Sequence, residues 1–408
     1  MKNVFYGLVL LAPLACAQSV KQSNSGNDTG GAGGDSNSSS SSTDPSNSGG
    51  ITNTAGSGGT SSTSPRTTAN GGSGGTGGAL ASGGTVTVGA STNFEMSDCG
   101  LPIASAGGVT RPSGTPGNFK VLNWAGFKGA VSYTFDDANQ SQIDNYAALQ
   151  ALGVPMTFYL QTGKSSAQDP IWKQALLDGH ELGNHTKNHT HDNTTDPTIN
   201  AADVDAATTF IQSQFGVKPY TMAAPYGDPG YATLAESRFL INRGVNNAVI
   251  VPNGTTNPFN LPCFIPATGA KSTVFNAQTD SALTSGGWRV VLVHGFENGG
   301  DGAYQPINID EFTTHVRYAK SLRTLWLDSV VNVGAYWRAQ KLLSTVTPTQ
   351  SGSENTWTWT LPNNFPPGKC LRATVDGGTL LQGGKALTWN EHGFYEIALD
   401  AGSVTLAP

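Results

Sequence analysis

Ala130-Val131-Ser132-Tyr133-Thr134-Phe135-Asp136-Asp137 is the stretch that decides the fold. A strand-forming run of apolar and β-propensity residues ends abruptly on two adjacent carboxylates. The next segment has a different period. Ile143, Tyr146, Leu149 and Leu152 recur at helical spacing, and Gly153 is well placed to end that helix. The alternation then repeats down the chain. Residues 155–160 read as a strand, Ile171, Ala175, Leu176 and Leu177 as a helix closed by Gly179, and residues 199–215 as a helix ended by Gly216. Residues 220–225 and 245–251 are expected strands, and the run 289–294, ending on His294, is the clearest one. Helices are expected at 309–322 and 330–343, with a strand at 325–327 between them. Buried-type strands alternating with helices imply an α/β sheet or barrel. Such folds place chemistry just beyond the C-terminal ends of the strands.

Outside this region the texture changes. Beyond Thr345, residues 357–361, 370–375 and 395–399 alternate at period two between Pro- and Gly-rich turns, which predicts a small antiparallel β unit over 346–408. Trp357 and Trp359 there suit packing better than glycan binding. Residues 18–95 are almost all Gly, Ser, Thr, Asn and Ala, too poor in apolar side chains to offset the entropy of ordering. This segment is expected to be a flexible linker. Residues 1–17 read as an export signal: Lys2 precedes an apolar stretch too short to span a membrane. Leu14-Ala15-Cys16 resembles a lipoprotein cleavage box that would leave Cys16 lipidated, whereas Ala15-Cys16-Ala17 also satisfies ordinary cleavage before Gln18. The expected location is therefore the cell envelope as a lipoprotein, or the medium. The only membrane attachment expected is through that lipid.

The part expected to fold is long enough for one sizeable core, over 96–345, plus a small appendage. A net charge of −6 argues against nucleic acid as a partner, because a phosphate backbone calls for a basic face. Export permits disulfides. If Cys16 is lipidated, then Cys99, Cys263 and Cys370 leave one unpaired, and spacing does not choose the pair.

The chemistry-bearing residues gather at strand ends. Asp136 and Asp137 close the first strong strand. In His185-Thr186-Lys187-Asn188-His189, two imidazoles four residues apart would share a face if one helical turn held them. Two neutral imidazoles and a carboxylate are a common ligand set for Zn²⁺ or a similar ion. His191 falls on another face and reads as exposed, and His180 as a cation at a helix end. Pro225-Tyr226-Gly227-Asp228 follows a strand, where its turn could aim backbone N–H groups into a site.

These segments resemble, in order and spacing over about 120–343, the polysaccharide deacetylases of carbohydrate esterase family 4. Thr-Phe-Asp-Asp at 134–137, His-Thr-Lys-Asn-His at 185–189, Ala-Pro-Tyr-Gly at 224–227 and Val-Leu-Val-His at 291–294 carry the resemblance. It implies a distorted (β/α) barrel. It implies a metal held by Asp137, His185 and His189, with Zn²⁺ as the default and Co²⁺ or another divalent ion able to serve. It further implies Asp136 as general base, His294 as general acid, and the Tyr226 backbone N–H, in the turn opened by Pro225, as oxyanion donor. The substrate would be an acetylated polysaccharide, with N-acetyl groups of peptidoglycan or chitin ahead of O-acetyl groups of xylan, and the protein would act as a monomer. A non-catalytic carbohydrate-binding lipoprotein is the competing class. The departures from the family are Ala223, where an arginine orients the base; Ala138, where glycine commonly follows the aspartates; and the lack of a match to the fourth motif, whose Asp would hold the general acid.

Overall fold

Eight consecutive buried residues, Gly129–Asp136, form the central strand β2 of the computed structural model. A strand buried on both faces belongs in the middle of a parallel sheet covered by helices. The structure describes residues 94–408 apart from 105 and 194, so the expected signal, Cys16 and nearly all of the linker lie outside the described residues. Strand β1 is Lys120–Val121. After β2 come β3 (Thr157–Leu160), β4 (Glu181–Asn184), β5 (Thr221–Ala223), β6 (Ile241–Arg243), β7 (Trp288–Val293) and β8 (Leu325–Leu327). Their order is β6-β5-β4-β3-β2-β7, with β8 pairing the first half of β2, and every pairing is parallel. The result is a curled, open (β/α) barrel, as expected from the sequence.

Helices α1 (Gln140–Asp144), α2 (Tyr146–Gln150), α3 (Ile171–Leu177), α4 (Pro197–Phe215), α5 (Gly230–Glu236), α6 (Ser272–Ser285), α7 (Ile309–Ser321) and α8 (Val330–Leu343) connect the strands. Asp196 caps α4 by accepting from the Thr198 N–H, and Gly216 ends it at φ 74°. The expected helix around 143–152 is broken into α1 and α2 at Asn145. The expected strand at 245–251 is not formed. The fifth barrel strand is the preceding run, β6, and Ile250 makes only an isolated bridge to Trp288. Gly244 and two asparagines, Asn246 and Asn247, open that stretch and weaken it as a strand.

The C-terminal residues form two antiparallel sheets. Strands β9 (Thr349–Ser351), β10 (Glu354–Thr358), β11 (Cys370–Thr374), β12 (Thr379–Gln382), β13 (Lys385–Ala386), β14 (Trp389–Asn390), β15 (Phe394–Ala398) and β16 (Ser403–Ala407) arrange as β1-β11-β15-β14 and β13-β12-β16-β10-β9. Trp359 is buried and its indole N–H donates to Leu399 O at 2.9 Å, while Trp357 stacks on Phe119 at 4.4 Å. Both tryptophans therefore pack. The open disulfide question resolves to Cys99–Cys370, leaving Cys263 as a buried thiol.

Candidate metal and catalytic site

Asp136 is the last residue of β2 and is 2% exposed. Adjacent strand residues point to opposite faces. Here the chain leaves β2 through left-handed backbone at Asp137 (φ 77°) and Ala138 (φ 52°), so both carboxylates reach one cavity. That geometry explains why glycine suits position 138 and why alanine there is strained. Beyond the turn, Asn139 and Gln142 donate side-chain N–H groups to His294 O at 2.7 and 2.8 Å, locking the end of β2 to the end of β7.

The two histidines meet by a different route from the one expected. Residues 185–189 form a loop after β4, not a helical turn. Thr186 (φ 59°) and His189 (φ 54°) are left-handed. The Thr186 N–H donates to Asn184 Oδ1 at 2.8 Å, and the His189 N–H to Thr186 Oγ1 at 3.0 Å. These local bonds compete with helix formation and bend the loop back on itself, bringing the imidazole centroids to 4.7 Å. Asp203 of α4 accepts from Asn188 N and Nδ2, and Thr162 N and Gly163 N donate to Thr186 O and Lys187 O at 3.0 and 2.9 Å.

His185 Nε2 lies 3.4 Å and His189 Nε2 3.5 Å from Asp137 Oδ1, and one donor atom from each of the three residues falls within 4.8 Å of the others. The donor set fits a divalent ion. His185 Nδ1 is 2.9 Å from Ala223 O; a carbonyl can only accept, so Nδ1 carries the proton and Nε2 faces the cavity. Charge favours a cation there as well. Burial works to lower the His185 pKa, but the Asp136 and Asp137 carboxylates outweigh it and raise it. Burial would raise the Asp137 carboxyl, yet the hydrogen bond and charge of His185, with Lys164 and His294, hold it well below the usual range. Burial, then His185, lowers His189 to about 4, leaving that imidazole neutral.

The remaining predicted residues line the same cavity of about 480 Å³: Asp136, His294 and Tyr226 join the triangle, with Arg243 and Tyr304 beside them. Burial lowers the His294 pKa, partly offset by Asp136 and Asp137, and its ring meets Tyr304 edge-on at 5.2 Å. Pro225 is buried and opens a short turn in which Tyr226 is left-handed (φ 57°). A tyrosine there is a backbone outlier of the kind that gathers at functional sites. His191 is exposed, as expected, but it also stacks on Tyr226 at 3.7 Å and holds Asp228 Oδ2 at 2.9 Å through Nδ1. The reading of His180 as a cation is wrong. It is buried, its Nδ1 accepts from Met156 N–H at 3.0 Å, and burial lowers its pKa to about 4.

Sequence reasoning missed Arg243. It ends β6, is 1% exposed, and its Nη2 donates to Asp136 Oδ2. Among the described residues, Asp136 Oδ1 is buried without a hydrogen-bond partner. Nothing local in the sequence marks Arg243. It stands two residues beyond the short apolar run Phe239-Leu240-Ile241, which foretells a strand but not the partner of its last residue.

Residues 126–241 match the polysaccharide deacetylase family. A gellan lyase of Bacillus sp. is 30% identical over 129 residues, covering 31% of this chain and 5% of its own length. This chain thus spans about a twentieth of that curated relative. Among solved structures, a chain from Pseudomonas aeruginosa PAO1 described as a probable polysaccharide deacetylase aligns over 54% of this chain and 94% of its own, at 12% identity and TM-score 0.43. A family 4 acetyl xylan esterase from Clostridium thermocellum in complex with a cobalt ion aligns over 50% and 89%, at 16% identity and TM-score 0.35. The segment that matches the polysaccharide deacetylase family, 126–241, carries Asp136, Asp137, His185, His189 and the Tyr226 turn.

Proposed function

We propose that this protein hydrolyses acetyl groups from a polysaccharide, most specifically N-acetyl groups of a GlcNAc-containing glycan. One observation carries the reading. The Asp137–His185–His189 triangle opens into the same cavity as a buried carboxylate with one free oxygen, Asp136 Oδ1, and as the His294 imidazole. A divalent ion bound to the triangle, Zn²⁺ by default, would polarise the acetyl carbonyl and acidify water. Asp136 Oδ1 takes the proton from the attacking water, since no hydrogen bond from the described residues occupies it. The carbonyl carbon becomes tetrahedral, and the left-handed turn at Tyr226 offers a backbone N–H to its oxygen. His294 gives a proton to the departing nitrogen or oxygen. Burial lowers its pKa and makes its imidazolium a ready donor.

The protein is expected to act as an exported monomer, either held in the cell envelope by a lipid on Cys16 or secreted. The test expresses the chain from residue 94, loads Zn²⁺, and measures acetate from chito-oligomers, peptidoglycan and acetylxylan. Acetate from acetylxylan alone would move the substrate to an O-acetyl ester. Metal binding without acetate from any of them would leave a carbohydrate-binding protein. His185→Ala is expected to lose the metal, and Asp136→Asn to keep the metal and lose at least about a hundredfold in kcat. Unchanged metal content in His185→Ala would sink the ligand assignment. Incorporation of labelled palmitate into the full chain, abolished in Cys16→Ala, tests the anchor.

A further inference from the structure

Asp136 and Asp137 are neighbours in sequence and rivals in space. His185 Nε2 is 3.6 Å from Asp136 Oδ2 and 3.4 Å from Asp137 Oδ1, so either carboxylate lies within reach of a cation held by that imidazole. Something must decide which becomes a ligand and which stays free to accept a proton. Arg243 is placed to do so. Its Nη2 donates to the same Asp136 oxygen that faces His185, and its Nη1 donates to Gly244 O at 3.1 Å. Its guanidinium carbon lies 5.7 Å from the centroid of the Tyr159 ring, which is fully buried. A planar, always charged fork fixed on three sides holds a carboxylate in one rotamer. Ala223, where the family resemblance calls for an arginine, is the register partner of Arg243 across the β5–β6 pair. The positive charge has moved one strand along the sheet.

We propose that Arg243 is the positioning residue that separates the two aspartates by role. By occupying Asp136 Oδ2 it keeps this carboxylate out of the coordination sphere and leaves Oδ1 free in the cavity, while Asp137 alone joins the histidines. Among the described residues no guanidinium bonds Asp137; its side chain receives a long contact from Asn139 Nδ2 at 3.4 Å and approaches the two imidazoles. This inference rests on the deacetylase reading for its kinetic arm but not for its spectroscopic one.

The experiment uses the protein loaded with Co²⁺, whose visible absorption reports coordination number. Arg243→Met frees Asp136 to bind the ion. The expected result is a weaker, shifted Co²⁺ spectrum of higher coordination, metal affinity equal to or above the parent's, KM within twofold, and kcat down about a hundredfold. Arg243→Lys restores the parent spectrum and part of kcat. Asp136→Asn combined with Arg243→Met also returns the parent spectrum, and its kcat equals that of Asp136→Asn alone. This pair carries no unpaired buried carboxylate, so it decides the matter even if Arg243→Met fails to fold. A parent-like Co²⁺ spectrum in folded Arg243→Met overturns the proposal, as does a loss from Arg243→Met that adds in full on the Asp136→Asn background. If the parent releases no acetate, the deacetylase reading fails while the spectra still judge Arg243.

Discussion

Gly163 offers a way to move the histidine loop without touching a ligand. A Cβ built on Gly163 would sit 2.4 Å from Lys187 O and 3.3 Å from Lys187 C, both backbone atoms. Gly163 does not sit in left-handed backbone, so alanine there meets only this steric conflict. Relief requires the loop to retreat by about 0.6–1.0 Å, to an ordinary carbon–oxygen contact. The retreating segment is the middle of 185–189, and it is pinned at Gly163 N–Lys187 O and Thr162 N–Thr186 O. Metal sites tolerate ligand displacements of only about 0.2 Å. Gly163→Ala should therefore weaken metal affinity by about 10–100-fold, the range seen when supporting groups around ligands are disturbed. That corresponds to about 1.4–2.7 kcal/mol. Overpacking should cost the apo protein about 1–3 kcal/mol as well. The assay is competition for Zn²⁺ against a calibrated chelator, with near-ultraviolet circular dichroism verifying the fold. A folded Gly163→Ala protein whose Zn²⁺ affinity stays within twofold of the parent's would refute the link from this backbone contact to the ligand triangle.

Two further outcomes are expected. His315 is buried between Tyr133 Oη at 2.9 Å and Asn276 Oδ1 at 2.8 Å, and burial lowers its pKa from 6.5 to about 4. The unfolded chain therefore binds the extra proton first: the stability contribution is full above about pH 6.5 and is lost as pH falls toward 4, by about 2 kcal/mol at pH 5. In denaturant melts, His315→Gln should flatten the acid limb by that amount relative to its own pH 7 value; an identical pH slope in both proteins would contradict the buried neutral imidazole. Tyr304 is 60% exposed on the cavity rim, so Tyr304→Ala should leave the melting temperature unmoved. It should raise KM for a glycan oligomer about two- to tenfold, the worth of one aromatic face, and an unchanged KM would place the substrate elsewhere.

The sequence made some parts of this molecule legible and hid others for physical reasons. The end of β2 was readable because a buried strand that stops on two carboxylates violates the usual burial rule, and such violations mark sites. The pair His185 and His189 was readable as a ligand pair, but its geometry was not: spacing of four suggests a helix, while Asn184 and Thr186 side chains bond the local backbone and override it. His180 misled because helix-end position says nothing about the strand that buries it. Arg243 was invisible because its role depends on register with Ala223, a pairing between residues twenty apart that no periodicity encodes. The same holds for Cys99 and Cys370, separated by 271 residues.

That disulfide has a mechanical consequence. The stretch before β2 is bound to the C-terminal sheets through Cys99–Cys370 and through β1 against β11. A tension applied ahead of Cys99 and beyond Cys370 therefore runs through the sulfur bridge, and the whole barrel between them lies in a covalent loop that carries none of it. The cavity at the strand ends is shielded from stretching forces on the chain, as a side branch is shielded from current in a short-circuited wire.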